Sequence, residues 1–233
     1  MDKIFTKNIE HESAVKHVTG KAIYTDDISE PKNLLHAVIG YSNCSKGVIK
    51  KIDYKDVLSS EGVVDIITEK DIEGINDVGP IFKGDKIFTS KNIEYYGQPI
   101  FAVIAKTNNL AKKAALKVKI DLKISKPIVS IEEALKKKSF VLKPKHLTRG
   151  DIKDGFKKSD NILKGKLYSG GQDHFYLEGQ IAMTIPQEDN NFLVYSSTQH
   201  PSETQQIIGK VLKQNYNSIH VMLRRIGGGF GGK

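Results

Sequence analysis

Apolar and polar positions along the 233-residue chain alternate in short blocks, and these blocks predict a mixture of strands and helices. Compact apolar runs rich in β-branched and aromatic residues predict strands. In the first half of the chain such runs cover Leu34–Tyr41, Val63–Thr68 and Ile100–Ala105. In the second half we expect strands over Asn161–Tyr168, Gln180–Ile185, Phe192–Ser197 and Ser218–Arg225.

Apolar residues at helical spacing and capping residues predict helices between these runs. The predicted helices are Asn108–Lys119 with Thr107 or Asn108 as its cap, Ser130–Lys138, Gly150–Ser159, and Ser202–Lys213 with Ser202 as its cap. Ser130 lies three residues before Glu133, which is the spacing of a capping box. In the last helix we expect Ile207, Val211 and Leu212 to face inward. The predicted fold class is α+β, in two parts.

The formal net charge of +9 raises the question of a nucleic-acid partner. Almost all of the positive charge is lysine, and arginine occurs only at Arg149, Arg224 and Arg225. Proteins that read base edges or phosphates usually depend on the bidentate fork of arginine. We therefore favour a solvated lysine-rich surface and no nucleic-acid partner. A lysine-rich module that binds anions or nucleic acid without catalysis remains the alternative.

The remaining composition restricts the class of protein further. A single cysteine, Cys44, excludes an internal disulfide framework and a cysteine-based zinc or iron–sulfur site. No apolar run approaches the roughly 20 residues of a membrane-spanning helix. The first eighteen residues are charged throughout and lack the apolar stretch of a secretory signal. We expect a cytoplasmic protein with no membrane partner.

The most informative segment is Gly227–Lys233, which reads GGGFGGK and follows a predicted strand directly. A flexible glycine-rich tail is one interpretation, but a linker has no use for the aromatic Phe230. The spacing from Gly227 to Lys233 also fits GxxxxGK, the first part of a phosphate-binding loop. That loop requires a following Ser or Thr and a helix, which these residues do not supply. A third interpretation is that backbone N–H groups must approach a bulky ligand closely.

Two upstream motifs favour the third interpretation. They are GGQDHFYLEGQ at 170–180 and SSTQHPSE at 196–203. Together with RRIGGGFGGK at 224–233, these motifs resemble the molybdenum-binding subunit of the molybdenum hydroxylases, which are the aldehyde oxidase and xanthine dehydrogenase family. More weakly, HVTGKAIYTDD at 17–27 and YGQPIFAV at 96–103 are similar to the α/β hammerhead domain of that family. The resemblance runs from about residue 15 to the end and matches only the beginning of the family's subunit. We therefore expect an N-terminal part of a longer protein.

The resemblance implies a domain organisation. Residues 1–16 would be an N-terminal extension, residues 17–125 the hammerhead-like domain, residues 126–144 a linker, and residues 145–233 the truncated beginning of a molybdopterin-binding α+β domain.

The resemblance also implies a cofactor and a reaction. The cofactor would be a molybdenum pyranopterin, as molybdopterin or its cytosine dinucleotide form. In this family a metal-bound hydroxo group attacks a carbon of a purine such as hypoxanthine or xanthine, or of an aldehyde, and hydride passes to a sulfido ligand. Electrons would leave through [2Fe–2S] centres and FAD on partner domains or subunits. The expected partners are the rest of the molybdenum subunit, an iron–sulfur/FAD subunit and the small-molecule substrate.

By the same resemblance, no side chain ligates the metal directly. Gln199 would hydrogen-bond an oxygen ligand of the metal, and Phe230 would present its backbone N–H beside the metal centre. Gly231 would likewise present its backbone N–H beside the metal centre, Gly228, Gly229 and Gly232 would allow close approach to the pterin, and His174 and Glu178 would support the site. The family's catalytic carboxylate and substrate-orienting arginine would lie beyond Lys233. By itself, the chain is therefore expected neither to turn over substrate nor to bind molybdenum stably.

Overall fold

The computed structural model describes residues 9–233 of the chain. The expected N-terminal extension, residues 1–16, lies partly outside the described residues. Two compact units are present: one contains the residues up to Ile124 together with His174–Lys233, and the other contains Ser125–Asp173. In the described part of the chain, no helix combines the length and the apolar composition needed to cross a membrane.

Helices and strands follow one another in mixed order, as expected for an α+β chain. The helices are α1 (Ala14–Val18), α2 (Lys55–Leu58), α3 (Asn108–Ala115), α4 (Ile131–Lys136), α5 (Ile152–Lys157) and α6 (Pro201–Leu212). The strands are β1 (His36–Tyr41), β2 (Gly47–Asp53), β3 (Val63–Ile67), β4 (Asn92–Ile93), β5 (Pro99–Ala105), β6 (Lys119–Ile124), β7 (Ala182–Pro186), β8 (Phe192–Ser196) and β9 (Ile219–Met222). Short 3₁₀ turns cover Thr25–Asp27, Glu69–Asp71, Glu188–Asn190 and Tyr216–Ser218.

Strand β5 is the centre of the main hydrophobic core. It pairs antiparallel with β1 on one side and β3 on the other, and most of its side chains are buried. Phe101 is fully buried, and its ring fills the space that a side chain at Gly40 of β1 would need. Tyr54 packs edge-on against that ring, with 5.2 Å between the ring centroids. The apolar run predicted over residues 100–105 is confirmed as a strand because it is covered on both faces.

Helix α3 packs against this core and is shorter than predicted. Thr107 is its cap, since its Oγ1 accepts a hydrogen bond from the Leu110 N–H at 3.3 Å. Ala111 and Ala114 are buried. The helix ends at Ala115, and the chain enters β6 at Lys119, where the sequence analysis had predicted the end of the helix.

Strands β2 and β6 are not among the strands predicted from the sequence. They pair antiparallel, and β4 adds to the other edge of β2. Both strands carry lysines between their apolar residues, so neither contains the compact apolar run by which strands were recognised. In β6 apolar and polar positions alternate, which is the pattern of a strand with one solvated face, whereas in β2 the register shifts between Ile49 and Lys51.

The third sheet has the order β7-β8-β9 and combines two kinds of pairing. β7 runs antiparallel to β8, whereas β8 and β9 run parallel and are connected through α6. Parallel neighbours require such a crossover, usually a helix. The side-chain amide of Gln205 on α6 donates to the carbonyl oxygen of Ile219 at 2.7 Å and holds the helix to β9.

Helix α6 differs from its prediction at both ends. It begins at Pro201 with His200 as the cap residue, so the prediction of Ser202 as the cap is wrong. Proline is favoured at the first helical position because its missing N–H would have no partner there. Ile207 and Val211 are half-buried, but Leu212 is 37% exposed and does not face inward as predicted.

The unit Ser125–Asp173 contains α4 and α5. Ser130 accepts from the Glu133 N–H at 3.1 Å, which confirms it as the cap of α4, and the Asp151 carboxylate caps α5. The strand predicted over 161–168 is wrong, because this segment pairs with no strand among the described residues. Leu163 and Leu167 are almost fully exposed. An apolar run becomes a strand only where a neighbouring strand satisfies its backbone groups.

Candidate functional site

The three motifs singled out in the sequence converge at one edge of the third sheet. β8 and β9 are parallel, so their carboxyl ends lie together, and Gln199 follows one end while the glycine segment follows the other. Ala182 at the start of β7 pairs with Ser196 at the end of β8, which brings residues 174–181 to the same edge. The carboxyl edge of parallel strands is a common place for ligand sites.

Gln199 contacts the glycine segment directly. Its side-chain Oε1 accepts a hydrogen bond from the Gly231 N–H at 2.8 Å, and its own N–H donates to the Lys233 carbonyl oxygen at 3.3 Å. Since a backbone N–H can only donate, this contact identifies which end of the Gln199 amide is oxygen. The Nε2 end is therefore turned away from Gly231.

The glycines of the segment have two different physical roles. At Gly227 and Gly229 a side chain would collide, since a Cβ would lie 2.5 Å from Glu178 Cβ and 2.6 Å from Gln199 Oε1, respectively. Gly228 and Gly231 have left-handed backbone, with φ of 92° and 89°. A Cβ on Gly232 would lie 3.1 Å from the Tyr176 ring. The backbone of the glycine segment thus packs closely against side chains of this same chain, which the sequence motifs did not predict.

Glu178 and Lys233 form a buried ion pair beside this segment. The Lys233 Nζ lies 2.9 Å from Glu178 Oε2, and the two side chains are 0% and 7% exposed. The same Oε2 accepts from the Gly227 N–H at 2.8 Å. Glu178 Oε1 is buried and has no hydrogen-bond partner among the described residues. Lys233 also lies over the Tyr176 ring, 4.7 Å from its centroid.

This pairing contradicts the phosphate-loop interpretation of GxxxxGK. In such a loop the lysine reaches a phosphate. Here the Lys233 side chain is fully buried and its ammonium group is already bound to Glu178. Sequence reasoning missed this role, because Glu178 and Lys233 are 55 residues apart and no local pattern relates them.

Tyr176 and Gln180 are two further residues that the sequence analysis did not assign. Gln180 Nε2 donates to the Tyr176 hydroxyl and to the Gly232 carbonyl oxygen, both at 2.8 Å. The exposed His174 lies next to Tyr176, with 6.4 Å between the ring centroids. These contacts attach residues 174–180 to the end of the glycine segment.

The two residues that precede Gln199 are buried and carry hydroxyl groups that hold it in position. Ser197 Oγ accepts from the Ile181 N–H at 3.1 Å and ties the end of β8 to the start of β7. Thr198 Oγ1 accepts from the His200 N–H at 3.1 Å, which shapes the turn into α6. Gln199 therefore stands on a turn whose two preceding residues are both held by hydrogen bonds.

In residues 9–233 there is no group of three or more His, Cys, Asp or Glu side chains that could hold a metal ion. What this edge of the sheet offers is a set of uncharged donors. Neither the Phe230 N–H nor Gln199 Nε2 donates to another described residue. Gln199 is exposed, and the Phe230 side chain is 74% exposed.

Two family models match most of the chain. Residues 19–126 match the a/b hammerhead domain of aldehyde oxidase and xanthine dehydrogenase, and residues 133–233 match the molybdopterin cofactor-binding domain. The chain belongs to the aldehyde oxidase and xanthine dehydrogenase family. The resemblance and the fold class inferred from the sequence motifs are thereby confirmed, and the cofactor of this family is a molybdenum pterin.

Individual relatives of the family cover almost the whole chain. Xanthine dehydrogenase of Dictyostelium discoideum is 40% identical over 228 residues, which are 98% of this chain and 17% of that protein. Aldehyde oxidase 2 of Rattus norvegicus is 37% identical over 227 residues, 97% of this chain and 17% of that protein. The solved aldehyde oxidoreductase from Desulfovibrio gigas superposes with a TM-score of 0.82 at 26% identity and covers 94% of this chain and 26% of that one. The chain thus spans about a sixth of the length of these curated relatives.

Proposed function

We propose that this chain supplies part of the molybdenum pyranopterin site of a molybdenum hydroxylase that oxidises hypoxanthine or xanthine. The observation that carries the proposal is the contact between Gln199 and the glycine segment at the carboxyl edge of β8 and β9. The matches to xanthine dehydrogenases support purines as the substrate class, and an aldehyde is the alternative that the aldehyde oxidase matches support.

The donor set at this edge fits the cofactor. Gln199 Oε1 is occupied by Gly231, and the Nε2 group is left as a donor on an exposed side chain. The Phe230 N–H lies one residue from that contact and has no acceptor among residues 9–233. Two neutral donors suit oxygen atoms around a metal that the pterin sulfurs hold, because they add no charge and do not compete as ligands.

The backbone of Phe230 supports a functional role for the segment. Its φ is 49°, in the left-handed region where a bulky residue is uncommon. Such strain is maintained only where the surroundings impose it, and it is concentrated at functional sites. Here the left-handed Gly231 that follows Phe230 and the hydrogen bond of the Gly231 N–H to Gln199 impose it. The Phe230 N–H makes no hydrogen bond to another described residue.

Each residue of the site has a task in this proposal. When bound, the cofactor would supply the oxidation chemistry, with [2Fe–2S] and FAD partners as the electron acceptors. Gln199 Nε2 and the backbone N–H of Phe230 would be the donors that hold oxygen atoms of the cofactor. Gly228, Gly229, Gly231 and Gly232 keep side-chain bulk away from the pterin. His174 and Glu178 would support the site from residues 174–180.

A chimera tests the proposal. Residues 19–233 of this chain replace the matching segment of the Dictyostelium xanthine dehydrogenase, and molybdenum content and oxidation of hypoxanthine, xanthine and an aldehyde are measured. We expect one molybdenum per subunit and a preference for the purines. Gln199→Ala should lower activity by about 10- to 100-fold, the usual cost of losing a hydrogen-bond partner of a metal site.

Gln187→Ala is the matched control, since Gln187 is exposed and its side chain contacts only local backbone carbonyls. Its activity should equal that of the unmodified chimera. Equal activity of the Gln199 and Gln187 variants would refute the assigned role of Gln199. A chimera that oxidises aldehydes and not purines would refute the proposed substrate class.

A further inference from the structure

Glu178 Oε2 receives both ends of the glycine segment. The N–H of Gly227, the first residue, donates to it at 2.8 Å, and the ammonium group of Lys233, the last residue, lies 2.9 Å away. The two contacts close residues 227–233 into a loop around a single oxygen atom. Between these ends, Gly231 donates to Gln199 and Gly232 accepts from Gln180.

We propose that Glu178 and Lys233 are a pair of positioning residues, here called the clasp, that holds the glycine segment in the shape needed at the cofactor. The role toward the cofactor rests on the proposed function, whereas the tie itself rests on the contacts alone. The clasp touches no reacting atom. It acts through Gln199 and the Phe230 N–H, whose directions depend on where the segment lies.

Because the pair is buried, each of the two charged side chains requires the other. Moving a carboxylate and an ammonium group out of water is costly, and their attraction repays that cost only with good geometry and additional hydrogen bonds. Glu178 Oε2 has both, but its buried Oε1 has no partner among the described residues. Glu178 therefore depends on Lys233 for compensation, and loss of either member leaves an uncompensated buried charge.

The surroundings leave the clasp no alternative arrangement. The Lys233 side chain is 0% exposed, and its ammonium group is covered by the Tyr176 ring, 4.7 Å from the ring centroid. On the opposite side, Gly227 is so close to Glu178 that a Cβ would lie 2.5 Å from Glu178 Cβ. The backbone of the segment therefore packs directly against the Glu178 side chain.

Hydrogen exchange on the 233-residue chain tests the tie. The variants are Glu178→Gln, Lys233→Met and the double variant, and the readout is the exchange rate of the Gly231 N–H divided by that of the Val103 N–H. Val103 lies in the core strand β5 and reports global opening. Each single variant should raise this ratio by about tenfold or more, since a buried charge is left unpaired and the segment opens locally.

The double variant keeps the test valid if a single variant fails to fold, because it removes both charges together. Its ratio should stay above that of the unmodified chain, since the tie is lost. The matched control is the exposed pair Asp56 and Lys119, 2.6 Å apart, for which Asp56→Asn and Lys119→Met should leave the ratio unchanged. An unchanged ratio in the double variant, or equal effects of the control pair, would overturn the clasp.

A second measurement separates the clasp from the proposed function. In the chimera, Lys233→Met should lower the retained molybdenum by about tenfold. If the unmodified chimera retains molybdenum and the variant retains as much, the positioning role is overturned. If the unmodified chimera retains none, the proposed function is refuted, and the exchange ratios alone decide whether the tie exists.

Discussion

Replacement of Gly229 by alanine is the sharpest test of how the glycine segment controls Gln199. Gly229 is buried and its backbone lies outside the left-handed region, so the substitution acts through bulk alone. The new Cβ would lie 2.6 Å from Gln199 Oε1, 2.8 Å from Cδ and 2.9 Å from Cγ. Because all three atoms belong to a flexible side chain, Gln199 yields and the main chain is spared.

The size of the effect follows from these distances. An ordinary Cβ contact begins near 3.4 Å, so the amide must retreat by about 0.8 Å. A retreat of that size stretches the Gly231 hydrogen bond from 2.8 Å beyond hydrogen-bonding distance. One such bond contributes about 1 kcal/mol. We therefore expect a loss of about 1 kcal/mol in the free energy of unfolding and displacement of the Gln199 amide.

Gly231→Ala is the matched control. No atom lies within 4 Å of a Cβ at Gly231, but its φ of 89° disfavours any side chain. This variant should also lose about 1 kcal/mol, through backbone strain, while Gln199 is not pushed aside. Urea unfolding measures the free energies, and the ¹H–¹⁵N signals of the Gln199 side-chain amide report its surroundings.

The two variants should therefore be similar in stability and differ at Gln199. In the chimera, Gly229→Ala should lower activity by about tenfold, because the Nε2 donor is misplaced. If the Gln199 amide signals and the activity of the Gly229 variant match those of the unmodified protein, the contact does not constrain Gln199 and the reasoning is refuted.

Three other predictions concern the core, pH and the isolated chain. Gly40→Ala should cost about 3 kcal/mol by urea unfolding, because its Cβ overlaps the fully buried Phe101 ring; a loss under 1 kcal/mol would contradict this packing. Burial, with a smaller contribution from Asp71, raises the pKa of Tyr54 from 10.0 to about 12. The contribution of the neutral Tyr54 phenol to the free energy of unfolding is thus complete below pH 10 and is lost as the pH rises through about 12. Absorbance titrations of the unmodified protein and of Tyr54→Phe are compared, and their difference reports the ionisation of Tyr54. A transition near pH 10 would refute this prediction. The 233-residue chain alone should contain no stoichiometric molybdenum and oxidise no purine, since it spans 17% of its xanthine dehydrogenase relative. Metal analysis and turnover assays measure both properties. A chain that contains molybdenum and oxidises a purine would contradict this prediction.

Local patterns in the sequence were sufficient where neighbouring residues decide the structure. The continuous apolar run of β5 and the caps Thr107 and Ser130 are set within a few residues, and the structure confirms them. The family was also accessible, because the order and spacing of three short motifs are properties of the sequence. Strands β2 and β6 show the limit of the method, since lysines break up their apolar runs.

Long-range pairing decided the rest. The run at 161–168 forms no strand, whereas the run at 192–197 does, because only the second has neighbouring strands that supply partners for its backbone groups. Likewise, only the parallel pairing of β8 with β9 brings Gln199 to the glycine segment, thirty-two residues from Gly231.

The sequence by itself determined which family this chain belongs to and that its glycine segment is a candidate cofactor loop. Only the tertiary structure decided what the glycines and Lys233 do. The glycines first make room for Glu178 and Gln199, and the lysine is a buried counter-ion. The physical reason is that steric exclusion and charge compensation depend on contacts between residues that are distant in the sequence. Residues 178 and 233 become neighbours only in the folded chain.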